Sequence, residues 1–266
     1  MENNDIILEK RKADVTENYK IIRDKIAWAA RQVGKNPDEI ELVAVTKTVP
    51  VQLINHSISL GVTHIGENKV QEMMQKLPLL TKDGLPGGGS LQSAGAPIKI
   101  SMIGHLQTNK AGLAVANSQM IQSVDSERLA LEISRQAEKI DKVIECLVEV
   151  NIGREESKSG ISPEECEELV LKCAELPGMK IAGLMTIPPI LDENTLTREY
   201  FQKMNKLYVD ICSKNIHNSN VKMCTLSMGM SDDFTQAILC GSNMVRIGSA
   251  LYGSRAIHNS QFTIHN

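Results

Sequence analysis

Glu41-Leu42-Val43-Ala44-Val45-Thr46-Lys47 is the stretch from which the fold is read: an apolar, β-branched run that ends on a lysine and is stopped by Pro50. Its length and composition are those of a buried strand. A lysine in that place has its stem in a core and its ammonium at a rim. Desolvation there disfavours the charged form and leaves more free amine. A free amine in a dry pocket is the nucleophile that carbonyl chemistry requires. A strand-end lysine can equally carry its ammonium out to water, so Lys47 takes its meaning from the rest of the chain.

Outward from this run, further apolar stretches lie at 62–66, 100–104, 120–124, 143–151, 181–187, 222–227 and 244–248, each followed by a helix-like segment. Helices are expected from Val51, through Val70 and Met74, and over 109–116, 127–139, 197–213 and 234–240. Asp125 or Ser126 can cap the helix over 127–139. Ser162-Pro163-Glu164-Glu165 carries the cap, first-turn proline and N3 glutamate of another helix start. Such strand–helix repeats, unbroken in composition, predict a closed (β/α)8 TIM barrel, α/β in class, with residues 1–266 as a single domain. The alternative is an open doubly wound sheet. That fold favours a glycine-rich first crossover, and Lys47-Thr48-Val49-Pro50 contains no glycine. An extra helix over 14–32 precedes the first strand, with Ile21, Ile22, Ile26, Ala29 and Val33 as its apolar face. The Gly/Pro-rich insertion at 81–97 lacks the Gly-Lys-Ser/Thr of a phosphate loop and reads as a flexible surface segment.

Net charge is −3 and hydrophobic content 42%. Basic residues are scattered, which argues against a nucleic-acid or anionic-membrane partner. No apolar run approaches the roughly 20 residues of a membrane span, and the polar first dozen or so residues do not form a secretory signal. Cys146, Cys166, Cys173, Cys212, Cys224 and Cys240 form no C-x-x-C pair and no zinc spacing, so no metal site is expected. Scattered single cysteines point to reduced thiols and a cytoplasmic location. Asn55-His56-Ser57 is read as a chance match to a glycosylation sequon. The methionines are read as core filler in place of scarce aromatics.

The chemistry gathers at the last two strands. Ser227-Met228-Gly229-Met230-Ser231 follows the seventh run, and Arg246-Ile247-Gly248-Ser249 closes the eighth. In a barrel these loops form the corner where a phosphate is commonly held, by amides that glycine exposes, by serine hydroxyls and by a helix start. Arg246 sits inside an apolar strand, where a guanidinium needs a specific acceptor. That acceptor is either a barrel carboxylate or a ligand. An amine, a phosphate cradle and an arginine together suit a phosphorylated aldehyde with a basic ring, and pyridoxal 5'-phosphate fits.

At this point the chain resembles a known family, the pyridoxal phosphate homeostasis proteins. The carrying residues are Val43-Ala44-Val45-Thr46-Lys47, Ile65-Gly66-Glu67-Asn68-Lys69-Val70-Gln71-Glu72, Ile103-Gly104-His105-Leu106-Gln107-Thr108-Asn109-Lys110, Ser157-Lys158-Ser159-Gly160, Ser227-Met228-Gly229-Met230-Ser231-Asp232-Asp233 and Val245-Arg246-Ile247-Gly248. Shorter matches at Ser123-Val124-Asp125, Glu149-Val150-Asn151 and Gly183-Leu184-Met185-Thr186 keep the same order. The resemblance implies a lone fold-type III barrel, like the N-terminal barrel of alanine racemase. It implies a Schiff base on Lys47, Asn68 beside the ring, Ser227, Met228, Ser231, Gly248 and Ser249 around the phosphate, and Arg246 at the pyridine nitrogen. An arginine there keeps that nitrogen unprotonated and weakens the ring as an electron sink. The implied role is cofactor holding and homeostasis without catalytic residues, serving apoenzymes that require the cofactor. The chain departs from the family at Ile100, Ser101 and Met102, where an aromatic and a histidine are common, at Asn243, and in its longer insertion.

The competing class is a fold-type III amino-acid racemase. Racemisation needs an acid–base group on each face of the substrate adduct. Lys47 serves one face, whereas Tyr252, the tyrosine nearest the motifs, is expected to pack. The short stretch after Gly253 is expected to leave no second domain, and with it no racemase-type dimer, so a monomer is expected. A cofactor-free sugar-phosphate barrel is a third reading. His64 and His105 are read as structural, and Lys158 as a solvated loop lysine or a second amine for the aldehyde.

Overall fold

Each apolar run becomes a strand, and the strands close into one parallel barrel of eight. They are β1 Glu41–Val45, β2 His64–Glu67, β3 Lys99–Met102 and β4 Met120–Val124. They continue as β5 Ile144–Glu149, β6 Met179–Met185, β7 Val221–Ser227 and β8 Met244–Ile247. The computed structural model describes residues 2–80, 92–93, 96–189, 194–214, 216 and 218–253. Closure joins β1 to β8, with Val43 opposite Arg246 and Ala44 opposite Ile247. On the other side β1 meets β2, with Ala44 opposite Ile65.

Strand alternation sorts the residues into two cores. Val43, Met120, Leu147, Ala182, Met185 and Met244 fill the barrel interior. A second core between strands and helices includes Leu53, Ile54, Ile65, Ile133 and Phe201, all fully buried. Methionines occupy both, as their adaptable shape allows.

The helices are α1 Glu2–Gln32, α2 Val51–Ser59, α3 Val70–Lys76 and α4 Ala111–Asn117. After them come α5 Glu127–Lys139, α6 Cys166–Ala174, α7 Asn194–Ser213, α8 Phe234–Leu239 and α9 Ser249–Tyr252. Ser126 caps α5, its hydroxyl accepting from the Leu129 amide at 3.3 Å. At α6 the expected cap is rearranged. The Ser162 amide and hydroxyl both donate to Glu165 Oε2, at 3.2 and 2.5 Å, and regular helix begins at Cys166. The Glu165 amide already bonds the Ser162 carbonyl, so the hydroxyl turns to the carboxylate.

The first helix is longer than expected, beginning at Glu2, and packs across α2, α8 and α9. Its buried face is Val15, Ile22, Ile26, Ala29 and Ala30. Ile21 and Val33, expected on that face, are 43% and 37% exposed. The stripe that docks includes Ala30 in place of Ile21 and Val33.

Within the insertion, Gln92–Ser93 pairs antiparallel with Ala96–Pro97. The remainder, and with it the expectation of flexibility, lies outside the described residues. Asn55 and Ser57 sit within α2, and Ser57 is buried, so the sequon is not on a loop. All six cysteines are unpaired. Among the described residues no helix is long and apolar enough to cross a membrane.

Candidate functional site

The site begins with the turn that carries Lys47, at the C-terminal end of β1. Thr46 and Glu67 are buried and face α3, away from the barrel axis. Thr46 Oγ1 donates to Glu67 Oε1 at 2.6 Å. Lys76, from the end of α3, donates to the Thr46 carbonyl at 2.5 Å, to Glu67 Oε1 at 2.9 Å and to Glu72 Oε1 at 2.7 Å. Glu72 in turn accepts from the Thr48 amide. The backbone on both sides of Lys47 is thus held by one ionic cluster. Thr48 adopts φ 61, a costly left-handed conformation for a β-branched residue, which such a clamp can sustain. Alternation places Lys47 on the inner side with Val43 and Val45, half-buried at the mouth.

Arg246 lies one strand away, with 3% exposure. Its Nη1 donates to Ser227 Oγ at 2.6 Å and its Nη2 to the Thr186 carbonyl at 2.9 Å. Burial lowers its pKa to about 10, against the opposing pull of Glu149 and Asp233. The acceptors are neutral oxygens, and the guanidinium keeps further N–H groups for another partner. Glu149, at the end of β5, is 6% exposed and its Oε2 has no partner. Burial, with a smaller contribution from Asp125, pushes its pKa up to about 7, while Arg246 opposes the rise. Asn68 also holds a buried Oδ1 without a partner. Buried acceptors of this kind also occur away from this end of the barrel, at Gln236 of α8 among others, so the two here count only together with Arg246 and Lys47.

The loops after β7 and β8 meet as expected. Ser231 Oγ accepts from the Gly248 amide at 3.3 Å and the Ala250 amide at 3.1 Å. With both lone pairs engaged, its proton remains to be donated. Ser249 is exposed at the start of α9. Two further residues of the expected phosphate set are buried and already hydrogen-bonded within the protein. Ser227 is fully buried, and its hydroxyl is taken by Arg246 and by Gln122 Oε1 at 2.8 Å. It supports the arginine from below, because the pleat turns position 227 into the barrel. Met228 is fully buried in the outer core, and its amide donates to the Met244 carbonyl at 3.1 Å. It shapes the corner from behind.

Lys158 is half-buried: its Nζ donates to the Pro188 carbonyl at 3.0 Å and lies 2.5 Å from Glu155 Oε2. Tyr252 packs, as expected, with its hydroxyl 2.8 Å from Ser57 Oγ between α9 and α2. His105 pairs with Asp125 at 3.0 Å on the exposed rim. Sequence reading passed over Glu67, Glu72 and Lys76. The i, i+4 spacing of Glu72 and Lys76 was the available signal.

An open cavity of about 490 Å³ lies at the opposite mouth, bordered by Tyr19, Arg23, Asp38, Glu41 and Asn243. Its volume is larger than its chemistry: none of the expected site residues lines it. Asn68, Glu149, Arg246 and Lys47 all follow or close strands at the other end of the barrel.

A closed parallel barrel with a lysine after β1 and a buried arginine on β8 defines an alanine-racemase-type barrel. The family described as "Alanine racemase, N-terminal domain" matches residues 18–256. Pyridoxal phosphate homeostasis proteins of Aquifex aeolicus and Escherichia coli K12 are 37% and 36% identical. Those alignments cover 90% and 91% of this chain and 97% of each relative. The chain belongs to the pyridoxal phosphate homeostasis protein family. A crystal structure of an unknown protein from Bifidobacterium adolescentis is similar at TM-score 0.83 and 34% identity, covering 91% of this chain and 96% of that one. PipY of Synechococcus elongatus, solved with PLP bound, matches at TM-score 0.73 and 26% identity over 90% of this chain and all of that one (100%). Alanine racemase of Clostridium difficile shares the fold at TM-score 0.62 and 18% identity, with 57% of that chain covered.

Proposed function

We propose that this chain binds pyridoxal 5'-phosphate at the Lys47 mouth and serves its intracellular homeostasis as a carrier without a catalytic cycle. The observation that carries the reading is the pairing of β1 with β8, which sets an amine-bearing turn beside a buried arginine with donors to spare. The groups present fit the cofactor. Lys47 would supply the amine for the aldehyde. Arg246 would donate to the pyridine nitrogen. Asn68 would lie beside the ring, and Ser231, Gly248 and Ser249 would hold the phosphate. When bound, the cofactor supplies an electrophilic carbon and a conjugated ring.

The chain's own groups favour holding over turnover. An arginine cannot protonate the ring nitrogen as a carboxylic acid would, so the ring is left a poor electron sink. Tyr252, whose hydroxyl is engaged with Ser57 and whose pKa burial raises, cannot serve as the second acid–base group of a racemase. In this reading the whole chain is one domain, acts as a monomer in the cytoplasm, and releases its cargo to apoenzymes that need it.

Borohydride treatment of protein mixed with pyridoxal phosphate tests the reading. A stable pyridoxyl label on Lys47 is expected, together with a visible absorption band before reduction. A label mapped to another lysine, or no band with excess cofactor, overturns it. Steady turnover of alanine or serine enantiomers above free cofactor would restore the racemase reading.

A further inference from the structure

The barrel interior contains a continuous row of polar side chains that no cofactor contact explains. Arg246 Nη1 meets Ser227 Oγ at 2.6 Å, and Ser227 Oγ meets Gln122 Oε1 at 2.8 Å. Gln122 Nε2 meets Ser101 Oγ at 3.3 Å, and Ser101 Oγ meets His64 Nε2 at 2.6 Å. His64 Nδ1 then meets Glu41 Oε1 at 2.6 Å. His64, Ser101, Gln122 and Ser227 are all fully buried. Glu41 is at the far end, where it borders the rear cavity with 39% of its side chain exposed. The row therefore runs the length of the barrel, from the rear mouth to the arginine under the Lys47 mouth.

Its direction is determined by chemistry. A guanidinium only donates, so Ser227 accepts from Arg246 and must give its own proton to Gln122 Oε1. That orients the amide, whose nitrogen donates to Ser101. Ser101 then passes its proton to His64 Nε2. The arrangement that leaves no donor unused has Nε2 of His64 accepting from Ser101 and Nδ1–H directed at the Glu41 carboxylate. A buried polar row is costly unless complete, and this one is complete.

We propose that this relay positions Arg246 for the ring nitrogen, and that Gln122 and His64, which touch no ligand, are positioning residues acting through Ser227. The proposal rests on the reading of Arg246 as the ring-nitrogen donor. The arginine side chain has several rotatable torsions and hence alternative rotamers. A hydroxyl that can only accept from it at one angle selects the productive one, and Gln122 keeps Ser227 in that state. His64 keeps Gln122 and Ser101 from reversing.

Two measurements separate the relay from the reading beneath it. The first needs no cofactor: imidazole 15N resonances of His64 in the unloaded protein. A neutral ring with the proton on Nδ1 is expected. Gln122→Glu offers Ser101 a second acceptor, draws its proton away from His64, and should move a proton onto Nε2. A wild-type ring protonated at Nε2, or an imidazole unmoved by Gln122→Glu, overturns the relay. The second uses pyridoxal phosphate itself. Gln122→Leu and His64→Leu should weaken retention about three- to tenfold and shift the visible band. His64→Gln, which leaves an amide oxygen for Ser101, should recover most of the loss. Melting curves confirm that the variants compared are folded, and Gln122→Glu carries the test where a leucine variant does not fold. Arg246→Ala is the control. If it changes the band while folded Gln122→Leu and His64→Leu do not, the relay is refuted and the arginine's role stands. If Arg246→Ala leaves band and retention untouched, the reading of the arginine falls and the proposal falls with it.

Discussion

Lys76 Nζ donates to the carbonyl oxygen of Thr46 at 2.5 Å, so one buried lysine holds the residue immediately before another. The same ammonium is paired with Glu67, whose side chain is 2% exposed, and with Glu72. Lys47 is therefore presented by a turn whose conformation is set by charge.

Lys76→Met removes one partner of a buried ion pair and leaves Glu67 alone. The expected cost is about 3–5 kcal/mol. Burial already raises the pKa of Glu67 against the pull of Lys76. Without the lysine it rises further, so the folded state holds a proton that the unfolded state has lost above its ordinary value of 4.5. Stability of the variant then falls as pH rises, and its deficit should be larger at pH 8 than at pH 5. Urea titrations at the two pH values check this; an equal deficit at both would be inconsistent with an unpaired Glu67. Glu67→Gln in the same chain should recover part of the loss.

Glu149 titrates at about 7 in the folded protein, against an ordinary value of 4.5. A raised carboxyl favours the folded state while it is protonated. That contribution declines as pH climbs through the window between the two values and is gone above it. Glu149→Gln should flatten the slope, and the gap between variant and parent should grow toward high pH by at most about 3 kcal/mol. A pH profile of unfolding free energy for the two proteins is the measurement, and parallel profiles would show that Glu149 is not the buried acid described.

Gly104 lies against the backbone of Asn68. A Cβ there would sit 2.4 Å from the Asn68 carbonyl oxygen and 2.9 Å from its Cα. Backbone cannot swing aside as a side-chain tip can, so Gly104→Ala should cost about 1–3 kcal/mol. It should also displace Asn68, lowering cofactor retention together with the melting temperature. An alanine variant with unchanged melting would show that the loop yields freely.

Ser231 accepts from two amides at the start of α9. Ser231→Ala should cost about 1 kcal/mol through the lost cap. Its effect on binding should be selective. Retention of pyridoxal phosphate should fall about tenfold relative to that of pyridoxal, which lacks the anion. An equal loss for both ligands would place Ser231 away from the phosphate.

Much of the barrel was legible in the chain because strand and helix are announced locally. The run over 120–124 and the helix over 127–139 appear at the expected residues, with Ser126 as the cap. Ends were less legible where tertiary contact decides them. The first turns of α1 run ahead of its first buried residue, Val15, with Ile6 and Ile7 exposed, so no core pattern announced them, and Ser162 caps differently because Glu165 is already bonded. At the site, the positions of Lys47, Arg246 and the Ser231–Gly248 corner at strand ends follow from the local pattern. The engagement of the Ser227 hydroxyl by Arg246 and Gln122 does not, because only the pleat and the closed sheet show what position 227 meets.

By itself the sequence determined the strand periodicity, the closed parallel fold, the strand-end amine and the family. Tertiary structure alone decided which groups meet across the barrel: the clamp of Lys76 on the Lys47 turn, and the row from Glu41 to Arg246. The physical reason is that residues sharing an interior layer come from separate strands. Positions 41, 64, 101, 122, 227 and 246 have no common spacing along the chain, and only closure of the sheet brings their side chains within hydrogen-bond reach.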